Sequence, residues 1–409
     1  FTKKNNMRQI TVAHRYIWME IYLIIMLLFA NNFFSFAPLA NFCNSDFKIF
    51  VFAPIFLLII LGGKPRIPYN TKNKNVILIL MLFLITSAIS CYLFRGQSLY
   101  QSIRGLFPSF AILSLYFALH KFPVSERRII KIFIVLATIF IFINIFQQIS
   151  PTYYFGSRGG NGEVEIRMGL KRYFLFGDRL CLIPMFFYLK KWIDQPNNKN
   201  LALSFFFFLG IFFALERTLL FGTICAIIYM LLFFKRLNIK QWICIIGILS
   251  AGYYFFTNDK IEGSFIEKTT VNRESGEDDI RLLAIDFYTR TFQEGIGTVL
   301  WGNGISDTNS QYGHLVKEAE ENMGYYRVDI GIFGDFNIYG LFFVIFMIGI
   351  FLHYAFIKRK QVPPIYAAIF MFFLASYALN SQVNTFYRLI MWPIILYCID
   401  YNTLKTKKL

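Results

Sequence analysis

Apolar blocks of about 15–30 residues, nearly free of interior charge, alternate along this chain with short basic stretches. The hydrocarbon core of a bilayer is about 30 Å thick and takes about 20 helical residues to cross, so repeated blocks of that length read as spans. The pattern predicts an all-α polytopic membrane protein. A soluble chain would be about a quarter charged, whereas 16% of these 409 residues are charged and 56% are hydrophobic. The same blocks exclude a coiled coil, a disulfide scaffold and a disordered chain.

The blocks run roughly 17–34, 47–62, 76–94, 103–120, 129–149, 173–189, 201–216, 217–234, 241–256, 335–357, 365–380 and 386–400, which predicts about 12 transmembrane helices. The fourth is the weakest, opening at Arg104 and interrupted by Pro108. The seventh and eighth form one 34-residue apolar run broken only by Glu216-Arg217. That run is too long for one ordinary span, so it predicts a helical hairpin with the pair at its turn.

The formal charge of +17 would by itself suggest nucleic acid. Sorted by alternate loops, 24 of the 41 Lys and Arg fall on one side with only four acids, Glu20, Glu126, Asp194 and Asp400, a net of +20 against −3 on the other. The positive-inside rule makes the basic side cytoplasmic and places both termini there. The basic charge therefore encodes orientation, and no nucleic-acid partner is expected. The organisation follows: residues 1–256 carry spans one to nine and an outer loop at 150–172. Residues 257–334 form one large helical periplasmic loop between spans nine and ten, and 335–409 carry the last three spans and a cytoplasmic tail.

The first block lacks a small-residue cleavage site and is followed by further spans, so no cleavable signal peptide is expected. Cys43, Cys91, Cys181, Cys225, Cys244 and Cys398 are scattered in or beside apolar blocks without CxxC spacing. That scatter points to packing rather than metal or redox chemistry. There is no Walker, dinucleotide or HExxH motif and no internal repeat. No metal or other cofactor is expected.

The type of cation differs between the two sides. The cytoplasmic side has 17 Lys and 7 Arg, the outer side 5 Lys and 12 Arg. Orientation needs only charge and would not sort the two. The planar guanidinium grips phosphate bidentately and stays charged, so an Arg-rich outer face suggests a phosphate or pyrophosphate ligand. Beside a bilayer, that ligand is most simply a lipid-linked pyrophosphate. The plainer alternative is that these arginines pair with outer acids or reach to headgroups.

Arg217 stands out, because an ionised group inside a long apolar run is expensive and marks function by default. Its structural alternative is a pair with Glu216, although adjacent helical residues pair poorly. In the large loop, 278–294 fits an amphipathic helix with Ile280, Leu283, Ala284 and Phe287 on one apolar face. Arg281 and Arg290 fall on opposite sides of it. Asp286 sits four residues before Arg290, the favoured ion-pair order, which leaves Arg281 the better ligand. WGNG at 301–304 reads as a tight turn. Asp178-Arg179 in the sixth block reads as a structural pair. His314 is the one outward-facing histidine, read in a polar loop. Asp329 is an acid at the membrane re-entry, either a cap of the tenth helix or a carboxylate base, with Asp335 six residues on.

With these elements in place, the layout resembles the O-antigen polymerase/ligase superfamily of bacterial inner membranes, the Wzy-like polymerases and the lipid A–core ligases. The resemblance covers the whole architecture. Its local motifs are an Arg-Thr pair at an outer span end, here Arg217-Thr218, and a loop-helix arginine followed by a Gly-x-Gly turn, here Arg281 and Gly302-Asn303-Gly304. Ligases add His-Asn, nine residues, then Gly. Aligned on Gly340, that motif places Asp329-Ile330 on His-Asn, so this chain departs at the ligase's acceptor-activating residue and tilts toward a polymerase.

The resemblance implies a metal-independent glycosyltransferase that joins undecaprenyl-pyrophosphate-linked oligosaccharide repeat units into O-antigen or related surface polysaccharide. Its site would face the periplasm. Arg217 and Arg281 would clamp the pyrophosphate, and Asp329 or His314 would serve as base. Arg158, Arg167, Arg172, Arg290 and Tyr326 would make secondary substrate contacts, and Tyr325 and Tyr326 could stack on sugar rings or pack the loop. A chain-length regulator and a flippase are possible partners. The rival readings are an O-antigen ligase and a transporter or flippase for lipid-linked oligosaccharide. A transporter would have more ionisable residues deep in its spans than Asp178, Arg179, Glu216 and Arg217. A metal-dependent lipid-linked glycosyltransferase would carry acids in the first outer loop, where Asp46 stands alone.

Overall fold

A computed structural model describes residues 16–33, 45–150, 166–167, 170–171, 177–234 and 280–406, with isolated helical positions at 239, 242, 246 and 250. Helices are the regular structure of the described residues, apart from a short antiparallel ladder of β1 (Ile166–Arg167) and β2 (Leu170–Lys171). The bundle begins with α1 (Ile17–Ala30), α2 (Ser45–Phe52), α3 (Pro54–Leu61), α4 (Thr71–Arg95), α5 (Leu99–Lys121) and α6 (Glu126–Ile149). It continues with α7 (Leu182–Asp194), α8 (Asn198–Phe212) and α9 (Arg217–Phe233). The large loop contributes α10 (Ile280–Asp286), α11 (Ile296–Trp301) and α12 (Gln311–Asn322). The chain then returns through α13 (Gly331–Tyr339), α14 (Leu341–Leu352), α15 (Pro364–Ser376), α16 (Phe386–Leu389) and α17 (Met391–Thr406). The ninth predicted block, 241–256, falls outside the described residues apart from three isolated positions.

Among the described residues three helices, α4, α5 and α6, are long and apolar enough to cross a membrane. On α4, Leu78, Leu82, Ile85, Ile89 and Leu93 form an exposed stripe, while Ile77, Leu80, Leu84, Ala88 and Cys91 face the bundle. A helix apolar on both faces is stable where its outer face meets lipid rather than water. The block expected to be weakest is a continuous 23-residue helix, α5. A capping box between Ser98 and Gln101 secures its start, and Pro108 is accommodated, buried, in its interior. At the other extreme, Trp392 is buried among the rings of Phe351, Phe370 and Phe373.

The predicted helical hairpin is present. Helix α8 ends at Phe212, and α9 starts at Arg217 with Glu216 in the cap position. Leu215 takes a left-handed backbone (φ +51°) in the turn between them, a conformation that costs a non-glycine residue about 1–2 kcal/mol.

The tenth block is two helices, not one, because the backbone turns at Gly340 (φ +84°). A Cβ there would lie 2.2 Å from the Leu300 carbonyl oxygen, so α11 occupies the space a side chain would need. The WGNG turn is likewise built into the bundle. Gly304 (φ +84°) would place a Cβ 2.2 Å from the Ser87 carbonyl oxygen. The backbone N–H groups of Asn303 and Gly304 donate to Asn337 and Ile338 at 2.7 and 2.9 Å. The Ile305 N–H donates to Ser87 Oγ at 3.0 Å, and Cys91 Sγ approaches the carbonyls of Asn303 and Ile305.

The expected apolar face of the loop helix needs correcting. Ala284 and Tyr288 are buried with Ala319 and Ile330, whereas Ile280 and Leu283 are exposed. The chain passes from α10 into a π-helical turn at Phe287–Thr291, and Tyr288 donates its hydroxyl to the Tyr325 carbonyl at 2.9 Å. That anchor rotates the buried face toward positions 284 and 288. Tyr325 accordingly packs in the loop's own core, against Phe287.

Candidate functional site

Arg95, the last residue of α4, fastens the loop to the bundle. Its Nε donates to Asn303 Oδ1 at 2.9 Å, other guanidinium nitrogens bond the Phe292 carbonyl and Glu294, and the group stacks 4.4 Å from the Phe292 ring. Arg327 ties the same loop from within, to Ser306 Oγ at 2.9 Å and Tyr312 OH at 3.3 Å, with Glu320 at 3.7 Å. Burial alone would lower the Arg327 pKa, but Tyr312, Glu320 and Tyr288 around it raise it. The end of the bundle carrying these contacts is called the loop end below.

Beneath the loop, polar side chains from several elements converge. Asp178 and Arg179, in a 3-10 turn ahead of α7, are both buried and ion-paired at 3.4 Å. The Arg179 guanidinium lies 4.5 Å from the Phe372 ring, and none of its three nitrogens has a hydrogen-bond partner. Glu216 Oε2 accepts from Asn380 Nδ2 at 3.4 Å. Arg388 on α16 donates through Nη1 to the Ser381 carbonyl at 2.9 Å, while its Nε has no partner. Asp178, Glu216 and Arg388 are close enough to feel one another's charge. Asp335 of α13 is wholly buried; its Oδ1 accepts from Ser381 Oγ at 2.6 Å, and its Oδ2 has no hydrogen bond.

The connection between α15 and α16 supplies the rest of this cluster. Its residues 380–383 are buried although the backbone is irregular, because Ser381, Gln382 and Asn380 hold them together, while Ala378 and Leu379 are exposed. Ser381 Oγ accepts from the N–H groups of Val383 and Asn384 at 3.2 and 3.1 Å, and Gln382 Nε2 donates to the Asn380 carbonyl at 2.6 Å. The Ile332 N–H donates to the Tyr377 carbonyl at 3.0 Å, which fixes α13 against the same segment. Of the fifteen buried side-chain polar atoms without a hydrogen bond among the described residues, eleven lie on Arg179, Asp335, Arg388 and residues 377–385. Buried polar groups are ordinarily satisfied, and a cluster of exceptions calls for a ligand, an ordered solvent site or a catalytic role.

The opposite end of the bundle supplies the contrast. Asp400, also buried, accepts from Tyr116 OH at 2.5 Å, Asn73 Nδ2 at 2.5 Å and His120 Nε2 at 3.1 Å. His120 Nδ1 lies 2.8 Å from the Tyr116 carbonyl, and Tyr354 donates to Asn73. Every atom in that network has a partner, as a purely structural cluster requires. The cluster at the loop end does not.

The residues singled out from sequence are placed unevenly with respect to this cluster. Arg217 is exposed at the start of α9, directly after Glu216. Arg281 is exposed on α10. Arg290 is also exposed and pairs with Asp286 at 3.1 Å, as the spacing predicts. His314 is exposed on α12, a helix rather than a loop, because Ser310 caps it by accepting from the Gly313 N–H at 2.8 Å. Asp329 is exposed in a 3-10 turn, and the cap position of α13 is Ile330, so Asp329 is not its N-cap. Tyr326 is 42% exposed. Arg158 and Arg172 lie outside the described residues, as does the side chain of Arg167 on β1.

Sequence reasoning missed Asp335, Arg388 and the 377–385 segment. The available signal was the polar run Asn380-Ser381-Gln382-Val383-Asn384-Thr385 between two apolar blocks. Such a run ordinarily reads as a solvated connection. The outer arginine count also changes weight, because Arg95, Arg179, Arg290 and Arg327 each pair with an acid of the same chain. Among the described residues no three His, Cys, Asp or Glu side chains are grouped so as to hold a metal. No protein-family model matches the chain, and no curated protein matches it.

Proposed function

We propose that the protein is a polymerase of lipid-linked oligosaccharides, with about twelve spans, cytoplasmic termini and its reaction site at the periplasmic face of a bacterial inner membrane. One observation carries the reading: two buried arginines, Arg179 and Arg388, hold unmatched N–H donors at the loop end of an apolar bundle, with Arg217 exposed next to Glu216. Guanidinium donors held in place and shielded from water suit a pyrophosphate group more than any neutral ligand.

In this reading a hydroxyl of the acceptor sugar attacks the anomeric carbon of the donor chain, and undecaprenyl pyrophosphate departs. The departing group is a good one, so the protein's work is to position the reactants and stabilise charge on the leaving oxygen. Arg179, Arg388 and Arg217 supply that charge, and Arg281 reaches the pyrophosphate or the glycan from the loop helix. The test is purified protein in lipid with a synthetic undecaprenyl-pyrophosphate-linked repeat unit, without added metal. A ladder of lengthened products supports a polymerase. Transfer to lipid A–core without a ladder supports a ligase, and movement of intact substrate across the bilayer supports a flippase.

A further inference from the structure

We infer that Asp335 is the proton acceptor for the attacking sugar hydroxyl, an assignment that rests on the glycosyl-transfer reading above. A base for this step needs a carboxylate with one oxygen free to receive a proton, held beside the charges that stabilise the leaving group and shielded from water. Asp335 alone among the described acids meets all three conditions. Its Oδ1 is engaged by Ser381 at 2.6 Å, which sets the orientation of the carboxylate, and its Oδ2 is buried without a hydrogen bond of its own, beside the side chains of Tyr377 and Asn384. Ser381 also accepts the N–H groups of Val383 and Asn384 and presents its carbonyl to Arg388 at 2.9 Å. One serine thus connects the carboxylate to a guanidinium of the proposed anion clamp. Asp329 and His314 are exposed, where water competes for the same proton.

The step balances within the donor and acceptor chains. The hydroxyl oxygen forms the new bond to the anomeric carbon, and its proton passes to Asp335 Oδ2. The bond from the anomeric carbon to the pyrophosphate oxygen breaks, and its electron pair leaves on the pyrophosphate beside Arg179 and Arg388. The proton returns to solvent with product release.

The experiment compares wild type, Asp335→Asn and Asp335→Ala in the reconstituted ladder assay, each also scored for binding of the lipid-linked repeat unit. Asp335→Asn keeps the shape and the Ser381 hydrogen bond, and is expected to lower chain lengthening about 10²–10⁴-fold, the usual contribution of a positioned base, with binding within about threefold of wild type. Asp335→Ala is expected to regain at least tenfold activity with added formate, which a role in folding alone would not produce. An Asp335→Asn protein with wild-type lengthening overturns the assignment while leaving the polymerase reading intact. Loss of binding in both variants without formate rescue also overturns it, making Asp335 a structural acid. A wild-type protein that makes no ladder overturns both.

Discussion

Ser381 donates its hydroxyl hydrogen to Asp335 across 2.6 Å, and both side chains are fully buried although they lie 46 residues apart in the chain. The same hydroxyl receives two backbone N–H groups, so it fixes the backbone of the α15–α16 connection and the carboxylate together. Ser381→Ala is expected to cost about 1–3 kcal/mol of stability, the penalty for stranding buried partners. Chain lengthening should fall about tenfold or more, and Ser381→Thr should restore part of it. Thermal unfolding in detergent and the ladder assay measure the two effects.

The arginine clamp makes a prediction about chemical type. Arg179→Lys and Arg388→Lys keep the charge and lose the planar fork, and each is expected to lower lengthening about 10²-fold or more, the loss seen when one preorganised donor is removed. Arg217→Ala and Arg281→Ala are expected to abolish lengthening while the protein still inserts, and Arg290→Ala to be milder because Asp286 already neutralises it. Normal long chains from both Arg217→Ala and Arg281→Ala would remove those two from the clamp.

Two glycines should behave in opposite ways. Gly304→Ala forces a Cβ against the Ser87 carbonyl in a left-handed backbone, and is expected to destabilise by about 2–4 kcal/mol from strain and overpacking together. Gly349 lies within α14 with nothing within 4 Å of a built Cβ. Gly349→Ala is therefore expected to be neutral, or to stabilise by up to about 1 kcal/mol. Paired melting curves decide the matter.

The loop carries its own pH dependence. Burial raises the Glu320 carboxyl above its usual 4.5, with Arg327 only partly opposing the shift. A raised folded-state value means that Glu320 favours folding while protonated. Its contribution is full below about pH 4.5, the unfolded value, and is lost as the pH rises through the folded value. Glu320→Gln should flatten this part of the stability profile, read as loop unfolding against pH. An unchanged slope would assign the dependence to other groups.

Arg95 should act as the fastener between bundle and loop. Arg95→Ala strands Asn303 Oδ1 and the Phe292 carbonyl, an expected loss of about 2–3 kcal/mol. Hydrogen exchange should rise at 287–305 and stay unchanged in α5 and α6. Glu294→Gln should do far less, because that partner is 54% exposed.

Much of the fold was legible in the sequence, since period and length alone place helices. The hairpin around Glu216-Arg217, the WGNG turn and the Asp286–Arg290 pair all depend on neighbours in the chain, and all three formed. The errors share a cause. The rotated face of α10, the break at Gly340 and the burial of residues 380–383 are each fixed by a partner from a distant part of the chain. Position 340 reads as one more small residue in an apolar block until Leu300 is known to lie against it. The candidate site was half legible for the same reason. Arg217 is conspicuous wherever it sits, but Asp335 and Arg388 become significant only once Ser381 joins them.

The contact between Ile305 and Ser87 joins residues 218 apart in the chain. At about 5–20 residues per second, α4 is complete on the order of ten to forty seconds before the turn that fills its groove exists. Through that interval Ser87, Ser90 and Cys91 form a weakly polar notch in a helix already made. Completion of α4 and closure of its notch are therefore separate events in the making of each chain. A chain caught between them leaves Ser87, Ser90 and Cys91 without the partners that Trp301, Asn303 and Ile305 later supply.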